Sequence, residues 1–490
     1  MDWVSSPPWF TPLTLLLLPL LFIFFKYVRP GPNKHRPSGP PGWPVFGNMF
    51  DLGPMPHQTL HKLRPKYGPV LWLQLGSMNT IAVQSAMAAA ELFKNHDVPF
   101  SDRKVPRALT AFDFSDGTIA LGNYGGYWRT MRRLCSMEFL VTRRINETAA
   151  VRRRCVDNMV RWIDEAAAVA VELSRFPFLM SFNLGGILML SRDLLDPESE
   201  EGFEFSDSMS KKWVDPQGIK RSMKRELEKP MKIAARFVEE RVLERESGRK
   251  EKSKKDFLDV LLDYEGDGRE DPHKISEKNV KIIILEMFIA GSETTSITME
   301  WAMTELLRNP NSMIKAKEEL DHVIGLNRKV VESEMDELPY LQAVVKETLR
   351  LHPPLPFLLP RSASEDTNYM GYHIPKNTQV LVNVWAIGRD PDCWDDPLSF
   401  KTERFIGSSM EYKGQHYELI PFGTGRRICV GFTLAHRVVH FGLATLLQAF
   451  DWELPSNFTT ENMDMSERMG LHLRKLVPLK AIPKRRKVCG

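Results

Sequence analysis

Pro421-Phe-Gly-Thr-Gly-Arg-Arg-Ile-Cys-Val-Gly431 sets one cysteine, Cys429, among glycines 423, 425 and 431 and beside Arg426 and Arg427. Glycines permit a tight backbone path close to another body. Cationic neighbours and free amides stabilise a thiolate, and a buried structural cysteine needs neither. The apolar run from Phe432 to Phe450 has helical spacing, so Cys429 sits just before a helix N-terminus. Amides and the macrodipole there favour negative charge on sulfur. The other cysteines, Cys135, Cys155, Cys393 and Cys489, are scattered and form no C-x-x-C pair. That excludes a disulfide scaffold and a Cys-rich zinc module, and an odd count of five suits a reducing compartment.

Upstream, Lys278 to Leu307 is periodic and free of proline until Pro310, which predicts a long helix through the core. It contains Ala290-Gly-Ser-Glu-Thr-Thr295. A glycine inside a helix costs about 1 kcal/mol relative to alanine, so Gly291 is expected to let the helix open locally. Glu334 to Leu351 predicts a second helix, stopped by Pro353-Pro354. Glu347 and Arg350 share a face of it and can pair. Val70 to Leu75 and Thr80 to Val83 alternate as a short strand pair, Ser85 to Lys94 is helical, and Asp366 to Val384 is strand-like. The charged stretches Glu244–Asp256 and Glu265–Lys274 are expected to be solvated loops. Mostly helices with a minor β-sheet predict a mainly α or an α+β fold, and the lack of a linker after the first forty residues points to one large domain.

The Cys429 stretch reads F-x-x-G-x-R-x-C-x-G, through Phe422, Gly425, Arg427, Cys429 and Gly431, and it resembles the cytochrome P-450 superfamily. Other family motifs follow in order: Trp128 and Arg132 as W-x-x-x-R, Ala290–Thr295 as A-G-x-E-T-T, Glu347 and Arg350 as E-x-x-R, and Glu403-Arg404-Phe405 as E-R-F. Two positions depart from the pattern. Val430 stands where plant members often have proline, and Thr402 replaces the proline before E-R-F, which is expected to loosen that turn.

The resemblance implies the P-450 fold and haem b, with Cys429 as the axial thiolate ligand of the iron. Electron donation from such a thiolate favours O–O cleavage. It also implies that Phe422 lies in the haem site, that Trp128, Arg132, Arg361 and Arg427 hold the propionates, and that Glu347, Arg350 and Arg404 form a structural network. Arginine suits carboxylates because its planar fork binds both oxygens. Glu293 is the implied relay acid, and Thr294 the alcohol that holds O2. Substrate-facing positions carried over are Phe112, Phe114, Ile119, Phe288, Ile289, Phe357, Leu358 and Leu471, mostly apolar and suited to a small lipophilic ligand.

The segments Trp213–Ile219 and Asp464–Arg468 resemble plant microsomal members that oxidise monoterpenoids and iridoids. Relatives carry an additional lid segment where this chain joins Ser210 directly to Lys211. The implied activity is a monooxygenase. The alternatives are a non-catalytic or misassembled haem protein, because of the shortened lid, and a haem-thiolate isomerase or dehydratase, which usually lacks the Glu293–Thr294 pair.

The 490 residues carry 66 basic and 62 acidic side chains, 66 − 62 = +4, with 43% hydrophobic and 26% charged residues. This balance excludes disorder, collagen and a polytopic membrane protein, and argues against nucleic-acid binding. No G-x-G-x-x-G opens a helix after a strand, so NADPH electrons must arrive through a partner. The resemblance implies the NADPH-cytochrome P-450 reductase, with cytochrome b5 as a second partner. Arg129, Arg132, Arg133, Arg143, Arg144 and Arg426 are expected to form its basic docking face.

Trp9 to Phe25 is a seventeen-residue apolar run with Lys26 and Arg29 behind it and no A-x-A cleavage site. It reads as an uncleaved membrane anchor over residues 1–29, with the C-terminal side in the cytosol, and the resemblance places it in the endoplasmic reticulum. The prolines of Arg36–Pro44 make residues 30–50 a semi-rigid hinge before the catalytic domain 51–490.

Overall fold

The computed structural model describes residue 17 and residues 35–105, 117–166, 169–195, 219–247, 255–266, 268 and 272–486. The anchor run other than Leu17, Phe112, Phe114 and the Ser210–Lys211 junction lie outside them.

The architecture is mainly α with a minor β part. The long helix, Glu277–Arg308, is capped by Ser276, whose hydroxyl accepts the Asn279 N–H at 3.2 Å; Glu277 sits in its first turn and Arg308 in its last. These charges oppose the helix dipole. Among the described residues this is the single helix long and apolar enough to cross a membrane, and 67% of its apolar window is buried inside the protein. It acts as the core axis. Val280, Ile282, Ile283, Ile284, Leu285 and Phe288 pack in one apolar cluster, with Phe178, Phe182 and Phe257. Met299, Ala302, Met303 and Leu306 pack in another, with helices Ala149–Ala166 and Phe432–Ala449. Both ends are therefore fixed, and the stretch between them is left to line a cavity.

The second predicted helix is two elements. A 3₁₀ turn, Glu332–Glu337, precedes the α-helix Pro339–Leu351. Pro339 has no N–H to donate and starts a helix more readily than it continues one. Buried Glu347 accepts Arg350 Nε at 2.6 Å, Arg350 Nη2 at 2.7 Å, Arg404 Nε at 3.0 Å and the Lys401 N–H at 2.8 Å. The turn after Lys401 is not loosened by the missing proline. Thr402 is fully buried, and its hydroxyl bonds the Tyr340 hydroxyl at 2.6 Å.

The five-stranded sheet runs Val70–Leu75, Met78–Val83, Gln379–Val382, Arg361–Ser362, Asp102–Arg103 in spatial order. Met78–Val83 and Gln379–Val382 are parallel, and the other pairs are antiparallel. This sheet brings Arg103 and Arg361 side by side, although they are far apart in sequence. The proline-rich stretch is pinned to the same sheet: the Trp72 N–H bonds the Ser38 carbonyl at 2.9 Å, and the Gln74 N–H bonds the Asn48 side chain at 2.9 Å.

Among the described residues of the charged stretch Glu244–Asp256, only the last departs from the expected solvation, while Arg245, Glu246, Ser247 and Lys255 are exposed. Asp256 is 5% exposed and caps helix Phe257–Leu262, and Arg241 donates to its two carboxylate oxygens at 2.9 and 3.0 Å.

Candidate active site

A cavity of about 300 Å³ lies against the middle of the long helix and ends on Cys429. The sulfur opens onto this cavity, while the residue itself sits deep in the protein. Gly425, with φ +69°, turns the chain where a side chain would meet the Asp97 carboxylate at 2.8 Å. The Cys429 N–H then bonds the Phe422 carbonyl at 3.0 Å, and Gly431 caps helix Phe432–Ala449. The amides of Gly431 and Phe432 point at the sulfur and favour the thiolate, as the sequence predicts. Burial opposes them more strongly, so the thiol lies above its ordinary value. The expected role of Arg426 and Arg427 beside the sulfur is corrected: the cation that acts on it is Arg132.

Arg426 instead binds Asp97 at 3.2 Å. Arg427 donates to the carbonyls of Ser101, Ile119 and Gly122 at 2.9, 3.3 and 2.7 Å and lies 4.0 Å over the Trp128 ring. Trp128 lines the cavity and gives its N–H to the Ile119 carbonyl at 2.8 Å. Arg361 binds Asp97 at 3.0 Å. Trp128, Arg132, Arg361, Phe422, Arg427 and Cys429 all line this one cavity.

The structure adds three residues that motif reading did not find. Arg103 lines the cavity, donates to the Leu359 carbonyl, and keeps a buried Nε without a hydrogen-bond partner. Burial, then Arg361 and Arg427, holds its guanidinium well below the ordinary value, and burial followed by Arg361 draws Arg427 down to about 9. Asp97 is the acid that ties Arg361 and Arg426 together, and it does not balance three buried arginines. Glu286, also on the long helix, accepts the Thr118 hydroxyl at 2.5 Å and the N–H groups of Ile119 and Ala120 at 2.8 and 2.6 Å. It clamps the loop whose Ile119 carbonyl anchors Trp128 and Arg427. The mutual repulsion of Arg103, Arg361 and Arg427 arises only once the sheet pairs the strands of Arg103 and Arg361 and the Cys429 loop brings Arg427 beside them.

Of the substrate-facing positions, Ile119, Ile289, Leu358 and Leu471 line the cavity. Phe288 does not: it stacks on Phe182 at 4.7 Å inside the core. Phe357 packs instead near Leu60 and against His57, with ring centroids 6.2 Å apart. Both corrections have one cause, since an apolar side chain beside a pocket can turn toward either side. Thr294 lines the cavity, and its hydroxyl donates to the Ala290 carbonyl at 2.6 Å. The helix around Gly291 is unbroken α, so the expected local opening is absent. Glu293 is not on the cavity wall. Its carboxylate accepts from His472 Nδ1 at 2.9 Å, with Arg474 at 3.9 Å, and His472 lines the cavity in its place. Burial raises the Glu293 carboxyl, yet His472, Arg474 and Arg468 together hold it below the ordinary value. In the basic face, Arg132 turns inward to the cavity, while Arg129, Arg133 and Arg143 are exposed.

The cytochrome P450 family profile matches residues 37–479. The chain belongs to the cytochrome P450 family. It is similar to the iridoid oxidase of Catharanthus roseus, with 60% identity over 95% of each chain. It is also similar to the geraniol 8-hydroxylase of Catharanthus roseus, with 38% identity over 96% of this chain and 98% of that one. Among solved structures, a zebrafish cytochrome P450 with abiraterone shares 26% identity at a TM-score of 0.76, covering 89% of this chain and all of that one.

Family membership implies haem b as the cofactor. The P450's own residues fit it. A sulfur faces the cavity with two amides behind it, and a surplus of buried guanidinium, including an unpartnered Nε, faces the place where an anionic rim would lie. The P450 is a haem-thiolate monooxygenase acting on small lipophilic plant metabolites.

Proposed function

We propose that this P450 inserts one atom of O2 into a monoterpenoid or iridoid. Electrons come from NADPH through the NADPH-cytochrome P450 reductase, and cytochrome b5 is a second donor. Residues 9–25 anchor it in the endoplasmic reticulum membrane with the catalytic domain in the cytosol. The observation that carries this reading is the apolar cavity ending on Cys429, in a chain 60% identical to an iridoid oxidase.

Cys429 would hold the haem iron, and Arg103, Arg132, Arg361 and Arg427 its propionates. When bound, the haem supplies oxygen activation, with the thiolate donating electron density. The protein does the rest. Ile119, Ile289, Leu358 and Leu471 exclude water and orient the substrate by shape. Thr294 presents a hydroxyl at the cavity wall, and Glu293 is the acid behind it. The hydrogen bond from His472 keeps Glu293 connected to that wall. Arg129, Arg133 and Arg143 supply positive charge for an acidic reductase.

The test is expression with the reductase, followed by NADPH- and O2-dependent turnover of a panel of monoterpenols and iridoids. Product from at least one of them is expected. A protein with a full carbon monoxide difference band that oxidises none would overturn the substrate reading, and absence of the band would overturn the haem-thiolate assignment of Cys429.

A further inference from the structure

The polar side chains that the long helix itself brings to the cavity are all used. The Thr294, Thr295 and Thr298 hydroxyls donate to the carbonyls of Ala290, Gly291 and Thr294 at 2.6, 2.8 and 2.8 Å. The Glu286 carboxylate is occupied by three donors. His472 differs. It lines the cavity with Leu471, its side chain is 5% exposed, and its Nδ1 is taken by Glu293 at 2.9 Å. Its Nε2 has no hydrogen-bond partner among the described residues. A carboxylate on Nδ1 fixes the ring orientation and places the Nδ1 proton.

We infer that His472 is a specificity-determining residue whose Nε2 binds a hydroxyl group of the substrate, with Glu293 as the residue that positions it. The inference rests on the terpenoid reading above and narrows it to alcohols. Among the apolar substrate-facing residues Ile119, Ile289, Leu358 and Leu471, a convergent polar group fixes orientation. A hydroxyl satisfies Nε2 in either protonation state, as donor to the neutral ring or as acceptor from the imidazolium. A carbonyl satisfies only the second, and a hydrocarbon neither. A site built around such a bond rejects the analogue that lacks the hydroxyl, because the ring nitrogen then faces a hydrocarbon in place of a hydrogen-bond partner.

The test uses the full-length ferric holoprotein and the substrate-induced spin-state shift as a binding readout. Geraniol and its hydrocarbon analogue 2,6-dimethyl-2,6-octadiene are titrated against wild type, His472→Phe and His472→Gln. For His472→Phe we expect the Kd for geraniol to rise about tenfold, with the Kd for the hydrocarbon unchanged or lower. His472→Gln, which keeps a hydrogen-bonding end, is expected to retain most of the preference for the alcohol. Equal changes for both ligands, or none, in variants that keep a full carbon monoxide difference band would overturn the inference and leave the terpenoid reading standing. Failure of the wild-type holoprotein to bind either ligand would overturn both.

Discussion

Replacing Glu347 by Gln keeps the shape of the buried network and removes its single negative charge. Arg350 is 1% exposed and the Arg404 side chain 11%, so both guanidinium groups lose the anion that justifies their burial. Removing one partner of a buried ion pair costs about 3–5 kcal/mol. The structure favours the lower end. Arg350 keeps the carbonyls of Gly388, Pro397 and Ser399, and Arg404 keeps those of Asp395, Asp396 and Ser399. An unfolding entropy of about 2.1 cal/mol/K per residue, over the roughly 400 described residues, gives about 0.9 kcal/mol per degree. Glu347→Gln should therefore lower Tm by about 3 °C, and Arg404→Met, which leaves Glu347 paired with Arg350, by about 1 °C. The double variant should fall short of the sum, since its second substitution removes a charge already unpaired. The assay is thermal unfolding of the holoprotein at one fixed scan rate, because such large proteins often unfold irreversibly. A Glu347→Gln protein within a degree of wild type, or strict additivity, would refute the claim that the charge holds this region together.

Burial raises the carboxyl of Glu300, on the long helix, to about 7, although the carboxyl accepts the Leu479 N–H at 2.8 Å. Its folded value lies above the ordinary 4.5, so its contribution is full below about pH 4.5 and is lost as pH rises through about 7, by about 3 kcal/mol. Glu300→Gln should therefore gain on wild type in Tm between pH 5 and pH 8; a gap that stays constant with pH would show that Glu300 is ionised in both states. Arg103→Leu removes the buried unpartnered Nε from the cavity wall and is expected to speed haem transfer to an excess of apomyoglobin about tenfold; an unchanged rate would remove Arg103 from the haem site. Arg133→Glu should slow stopped-flow reduction by the reductase and leave haem content unchanged, and an unaltered rate would discard the proposed docking face.

Local chemistry made much of the site legible in advance. The glycines around Cys429 and the helix after it are neighbours in sequence, and their amides meet the sulfur as expected. The Glu347–Arg350 pair follows from one turn of helix. The proline-free apolar run Lys278 to Leu307 matches the long helix Glu277–Arg308 to within a residue at each end. What the motifs left unread was direction. Phe288 and Ile289 are adjacent and equally apolar, yet the first enters the core beside Phe182 and the second faces the cavity. Glu293 matches its motif, but its carboxylate turns to His472 and Arg474, about 180 residues further along the chain.

The sequence by itself determined the long helix, the place of Cys429 and the helix terminus behind it, because hydrophobic period, capping and glycine placement act over a few residues. Only the tertiary structure decided which charges share the cavity. Arg103, Arg361 and Arg427 come together because a strand pairing and the Cys429 loop place them there, and Asp97 is held among them by contacts that span more than 260 residues. Repulsion, desolvation and pairing depend on distance in space, and no local pattern records that distance.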